Sequence, residues 1–270
     1  GGFGGISVDA RNPDTVVVST LGWWSDNGDN LYYTTDGGDS WSGLFNLNTK
    51  ENHYQMDTAQ AEWLDWGRGE NQAKTGWWGA DVNINPFNSD EVMYGTGATI
   101  YSTQNMTKIG TEPVTIAFDA YGLEETAVFK MLAPPSKDDS PQLYSIMGDL
   151  TGFSHKDVTQ CPDDAHFMKN GKPTDLDVAF QNPNTAVYLS EEKNFTQDGG
   201  ATWETVKHKP DPATGGQVAM SADGSSTIWV PNSISGKPYV TTDLGKTWYY
   251  VEGLGFNAKI AADRVNPKVF

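Results

Sequence analysis

One eight-residue pattern occurs three times in the chain: Thr34-Thr35-Asp36-Gly37-Gly38-Asp39-Ser40-Trp41, Thr196-Gln197-Asp198-Gly199-Gly200-Ala201-Thr202-Trp203 and Thr241-Thr242-Asp243-Leu244-Gly245-Lys246-Thr247-Trp248. A repeat that keeps its Asp, Gly and Trp offsets marks a supersecondary unit used several times, so it narrows the fold before any catalytic residue is considered. The short carboxylate can accept backbone N–H groups of its own turn, and glycine tolerates positive φ there. The Trp then leaves the turn on a strand as a large apolar anchor. Asp36, Asp198 and Asp243 are therefore read as scaffold, and Trp41, Trp203 and Trp248 as core.

A second recurring element phases the repeat: a strand, a polar turn often containing Asn-Pro, and another β-rich strand. It is seen in Ile6-Ser7-Val8-Asp9 with Val16-Val17-Val18, in Val82-Asn83-Ile84-Asn85 with Val92-Met93-Tyr94, and in Leu176-Asp177-Val178 with Ala186-Val187-Tyr188. Val218-Ala219-Met220 with Ile228-Trp229-Val230 repeats it, and Val265-Asn266-Pro267 starts it again. The interval from Asp198 to Asp243 suits one four-stranded blade. Tyr101-Ser102-Thr103-Gln104-Asn105 reads as a decayed copy of the turn, and Leu143 to Asp149 as a blade strand without one. The expectation is an all-β chain of roughly five to six propeller blades or partial blades. Residues 48–79 show no clear strand alternation but hold Trp63, Trp66, Trp77 and Trp78, as expected of a long loop over a binding face.

Composition removes several function classes. A net charge of −17 opposes a nucleic-acid partner, which needs clustered Lys and Arg. The single cysteine, Cys161, excludes an internal disulfide and a multi-cysteine metal site. No stretch has the apolar length of a membrane span. His155, Asp163, Asp164 and His166 match no strong ligand spacing, so neither a metal nor another cofactor is expected. A chain that opens in glycines without Met and stops in a strand-like segment is expected to be a piece of a longer polypeptide.

The eight-residue pattern is the Asp-box, or BNR repeat, and five ordered segments around its copies resemble glycoside hydrolase family 74. These are Gly5 to Pro13, Ile84 to Tyr101, Gly122 to Val128, Gly148-Asp149-Leu150-Thr151-Gly152-Phe153-Ser154-His155, and Ala262 to Pro267. The resemblance implies a parent of two seven-bladed propellers facing each other across a cleft. On that plan residues 1–118 are closing blades of the first propeller with the aromatic loop inserted, and 119–270 are opening blades of the second. The implied activity is inverting, endo-acting hydrolysis of xyloglucan or a related β-1,4-glucan by a secreted protein, monomeric at full length. Its partner is a neutral plant cell-wall polysaccharide, with no nucleic acid and no membrane.

Inverting hydrolysis needs two carboxyl groups with room for a water between them. The family takes one from each propeller, the first in an Asp-Val-Gly-Gly-aromatic turn that nothing in residues 1–118 matches. Asp149 occupies the equivalent turn of the second propeller and is the implied general acid, with Thr151 where the family has Gly. Asp81 is its rival, since a carboxylate beside Trp77 and Trp78 can be raised in pKa by desolvation. Sugar rings stack on aromatic planes. Trp23 and Trp24, in a Gly- and Asp-rich loop, resemble the family's leaving-group-side platform, and Trp77 and Trp78 are further binding candidates. A sialidase reading would require an arginine triad, and the chain has only Arg11, Arg68 and Arg264. The competing reading is a noncatalytic glycan- or protein-binding propeller.

Overall fold

The computed structural model describes residues 1–23, 28–60, 75–97, 99–121, 127–135, 139–148, 151–160, 162, 172–208, 210 and 212–270. The chain divides into two compact units, residues 1–125 and 126–270. Among the described residues all sheets are antiparallel except at one strand pair, and the only helical element is a 3-10 turn at Met106–Lys108.

The first unit opens with a four-stranded meander of β1 (Gly2–Val8), β2 (Val16–Leu21), β3 (Leu31–Thr34) and β4 (Ser42–Gly43). Its second sheet holds β5 (Tyr54–Asp57), β6 (Asp81–Asn85), β7 (Asn88–Gly95), β8 (Ile100–Thr103) and β9 (Val114–Phe118), in the order β5-β9-β8-β7-β6. Period-two alternation places Val17, Leu31 and Tyr33 on one face of the first sheet, where they pack into one core with Val82, Val92, Tyr94, Tyr101, Val114 and Ile116. Tyr94 and Tyr101 stack in that core with centroids 5.0 Å apart. β5 departs from the expectation of an unbroken loop: it joins the second sheet in parallel with β9, and Tyr54 and Met56 lean on the core.

The second unit has three sheets. They comprise β10 (Val128–Leu132), β11 (Leu143–Met147) and β12 (Thr151–His155), then β13 (Asp175–Val178), β14 (Ala186–Leu189), β15 (Lys193–Thr196) and β16 (Glu204–Val206). The last is β17 (Gln217–Met220), β18 (Thr227–Val230), β19 (Tyr239–Thr241) and β20 (Tyr249–Tyr250). The middle sheet is covered on both faces: Leu176, Val178 and Tyr188 pack with Tyr144 and Ile146, while Val187, Leu189 and Phe195 pack with Val218, Met220 and Trp229. Every residue of β13, β14 and β15 is buried as a result. Val265-Asn266-Pro267 forms no strand, and Arg264 just before it reaches back to β13.

The three eight-residue turns share one hydrogen-bond set. Thr34, Thr196 and Thr241 each donate Oγ1–H to Oδ1 of the aspartate two residues on, at 2.6, 2.7 and 2.8 Å. The same oxygen accepts the N–H of Ser40, Thr202 or Thr247, at 2.9, 2.9 and 2.8 Å. Hydroxyl bonds from Ser40 and then Thr34 hold Asp36 well below the usual carboxylate range, and Thr247 chiefly depresses Asp243 to about 2. Thr103 and Asn105 reproduce the first contact at 3.0 Å with an amide in place of the carboxylate, which explains the decayed copy at Tyr101 to Asn105. Trp203 and Trp248 pack against their cores as expected. Trp41 does not: it is 45 % exposed, its Nε1–H bonded to the Gly38 carbonyl, on the face of the first sheet that no described strand covers.

Candidate functional site

Trp23 is 42 % exposed and begins a loop whose next residues, including Trp24, lie outside the described residues. Its indole rests against the main chain of Gly1, where an added Cβ would come within 2.6 Å of the ring. It forms one end of a groove of about 740 Å³ whose other walls include Phe3, Ile6, Val18, Tyr32 and Trp41. Those walls are one face of a sheet, the kind of face that the middle sheet of the second unit has covered by its neighbour.

Trp78, a second binding candidate, is 48 % exposed, and its backbone is unusual. Its φ of +59° puts a bulky side chain in the left-handed region, where crowding against the main chain costs about 1–3 kcal/mol and is tolerated only when the surroundings impose it. Its flanks are held on both sides. The Trp77 carbonyl accepts the Gly97 N–H at 2.8 Å, and the Gly79 N–H donates to Asp29 Oδ2 at 3.0 Å. The ring lies so close over Gly97 that a Cβ there would fall 2.2 Å from Cε3. Trp77 itself is half-buried. Trp63 and Trp66 lie outside the described residues.

Asp81 begins β6 and is exposed. Its Oδ1 accepts the Val82 N–H at 3.0 Å and its Oδ2 accepts the Asn83 side-chain amide at 3.0 Å, so it lacks the burial on which its candidacy rests. Asp175 occupies the same position in β13. Each precedes a residue paired with a tyrosine of the next strand, Val82 with Tyr94 and Leu176 with Tyr188. Asp175 likewise accepts the following N–H, from Leu176 at 2.9 Å, and adds the Val218 N–H at 2.8 Å and Lys130 Nζ at 2.6 Å. Asp177, two residues on, is buried and accepts the Met220 N–H at 2.7 Å and Arg264 Nη1 at 2.8 Å. Burial pushes its pKa up, and the bonds from Met220 and Arg264 oppose that rise. Both carboxylates bind β13 to β17 and so belong to the blade scaffold.

Asp149 and Leu150 lie outside the described residues, between Met147 and Thr151, the final pair of the β11–β12 hairpin. Thr151 has φ of +74°, a left-handed conformation that suits Gly and strains a β-branched residue. Thr thus keeps the backbone that Gly would adopt at this position. His155 is half-buried, its Nε2 3.0 Å from Ser145 Oγ, and burial lowers its pKa. Cys161, Asp163, Asp164 and His166 lie outside the described residues, and among the described ones no three His, Cys, Asp or Glu side chains cluster as metal ligands. Arg11 donates to the Phe87 carbonyl at 3.3 Å and Arg264 is committed to Asp177; Arg68 is not among the described residues.

No family model matches the chain. It is 38 % identical to xyloglucanase Xgh74A of Acetivibrio thermocellus over 99 % of its own length, and 32 % identical to an oligoxyloglucan-reducing end-specific xyloglucanase of Emericella nidulans over all of it. Among solved structures it is similar to the GH74 enzyme of Niastella koreensis, with a TM-score of 0.80 and 26 % identity over 98 % of the chain. The chain belongs to glycoside hydrolase family 74. A GH74 xyloglucanase of Xanthomonas campestris gives a TM-score of 0.79 over 97 % of the chain. This family 74 chain spans 33 % and 40 % of the two curated relatives, and 37 % and 36 % of the two solved chains.

One residue of consequence escaped the sequence reading. Asp29 sits in the acidic stretch after Trp24, yet it is 4 % exposed and accepts four hydrogen bonds from described residues. Its available signal is the pair of positive-φ glycines, Gly22 and Gly28, that bracket the loop and turn it inward.

Proposed function

We propose that the parent protein is an inverting, endo-acting xyloglucanase in which Asp149 protonates the leaving oxygen while a carboxylate outside residues 1–270 activates the water. In this reading residues 1–118 belong to the first propeller and 119–270 to the second, so the acid–base pair is divided between them. Trp23, Trp24, Trp77 and Trp78 stack on the glucan. The substrate is a neutral polymer outside the cell, which fits a chain with a net charge of −17 and no call for a cation or cofactor.

The observation that carries the reading is the alignment with proteins named xyloglucanase across essentially the whole chain. The strained Thr151, two residues after Asp149 in sequence, supports it, because left-handed non-glycine residues cluster at functional turns. Asp81 stands as the weaker rival, since its carboxylate is exposed and hydrogen-bonded along its own strand. Replacing Asp149 by Asn in the full-length parent is expected to cut xyloglucan hydrolysis by orders of magnitude while the melting temperature holds; near-normal turnover would remove the assignment. The isolated 270-residue chain is expected to hydrolyse nothing measurable.

A further inference from the structure

Asp29 is a buried carboxylate whose hydrogen-bond partners among the described residues include no cation. Oδ1 accepts Thr20 Oγ1–H at 3.1 Å and the Trp23 N–H at 2.9 Å, and Oδ2 accepts the Gly22 N–H at 3.1 Å and the Gly79 N–H at 3.0 Å. Four donors use the full acceptor capacity of a carboxylate. Two of the four belong to residues 22–23, at the start of the first tryptophan loop, and a third follows directly on Trp78. The main chain of Asp29 adds two more ties to the same segment: its N–H donates to the Gly76 carbonyl at 2.8 Å, and its carbonyl accepts Thr75 Oγ1–H at 2.6 Å. Gly28 and Gly79 permit the close approach, since a Cβ on Gly28 would lie 2.1 Å from the Gly76 oxygen and one on Gly79 would lie 2.7 Å from the Thr20 oxygen.

One buried side chain therefore joins two segments about fifty residues apart in sequence, each carrying an exposed tryptophan, and one of those tryptophans is held in a strained backbone conformation. A packed blade interior needs neither exposure nor strain at these two residues. A ligand surface benefits from both, because fixing the aromatic planes before binding removes their ordering cost from the affinity. We propose that Asp29 is a positioning residue for carbohydrate binding: through the N–H groups of Trp23 and Gly79 it locks the backbones of Trp23 and Trp78, so that both rings meet the β-1,4-glucan already ordered. This rests on the sugar-binding reading of the two tryptophans given above.

Asparagine at this position keeps the size but turns an amide NH₂ toward N–H donors, so Asp29→Asn breaks the lock with minimal change of volume. In the 270-residue chain, Asp29→Asn is expected to shift or broaden the indole Nε1–H resonances of Trp23 and Trp78, leaving those of Trp203, Trp229 and Trp248 in place. Affinity for soluble xyloglucan, measured by affinity electrophoresis, is expected to fall roughly tenfold or more. In a Trp23→Ala/Trp78→Ala background the same change should cost nothing further. Unmoved indoles with affinity within twofold of the parent overturn the proposal, as does an equal loss in both backgrounds. Should Asp29→Asn not fold, Thr20→Val removes one donor to the carboxylate and is expected to move the same two resonances by less; silence there overturns it equally. A wild-type chain that fails to bind xyloglucan would sink the sugar-binding reading instead, and the indole spectra alone would then decide whether Asp29 positions the tryptophans.

Discussion

Asp29 and Asp177 are both removed from water, and their partners divide them. Asp177 is held by the Arg264 guanidinium and by a backbone N–H of β17, one strand of a blade gripping the next. Among the described residues Asp29 is held by neutral N–H and O–H donors, most of them from two loops that carry exposed tryptophans. A buried acid that faces a cation and a strand ladder is part of the scaffold. One that gathers loop amides under solvent-facing aromatics organises a surface, and burial by itself does not separate the two.

Arg264→Ala probes this contrast hardest. It strands a buried carboxylate, which costs about 3–5 kcal/mol for a fully buried pair; with the Arg264 side chain a third exposed, about 2 kcal/mol is expected. Calorimetry at neutral pH measures the loss, and the Trp23 and Trp78 indole signals should not move. The pH dependence fixes the sign. Burial already raises the Asp177 pKa in the folded state, so its share of stability is present below the ordinary value of 3.8 and is lost as pH climbs through the folded value. Removing Arg264 raises that value further, so the damage should be smaller near pH 4 than at pH 7; equal damage at both would show that the ion pair is not its cause.

The repeated turns behave with the opposite sign. Asp36 and Asp243 are depressed by hydroxyl and N–H donors, so their stabilisation is complete above about pH 4 and is lost as pH falls through the folded values, about 2 for Asp243. Melting temperature should therefore drop steeply below pH 4, and Asp243→Asn should flatten that slope. An unchanged slope would mean the turn does not contribute. Next in size is Thr151→Gly, expected to add about 1 kcal/mol by relieving left-handed strain, less the entropy of a freer unfolded chain. A loss of stability would place the balance on the entropy side. Asp81→Asn should change stability by less than about 0.5 kcal/mol, because an exposed strand-edge carboxylate has water as its alternative partner. A larger loss would mean that Asp81 has a covering strand, as Asp175 has.

Much of this was readable from residues. The alternation of Val82 and Ile84, or of Val16 to Val18, names its strands directly, and the turn chemistry extends even to Asn105, where an amide repeats the aspartate's contact. β5 was not readable, because its strand partner among the described residues is a parallel one, β9, from which residues 58–113 separate it. Trp41 was misread as core because the repeated turn specifies where the indole sits, whereas burial depends on what packs against it. Asp29 was missed for the same kind of reason. Its neighbours in sequence look like a solvated acidic loop, and only the return of residues 75–79 from far along the chain buries it.

The central claim is that Asp149 supplies a proton to the departing sugar oxygen, and leaving-group chemistry tests it most directly. In the full-length parent, Asp149→Asn should lower hydrolysis of xyloglucan by orders of magnitude. It should largely spare a xyloglucan oligosaccharide carrying a dinitrophenolate leaving group, which departs without protonation. An equal loss on both substrates would contradict the assignment and move the acid to another residue.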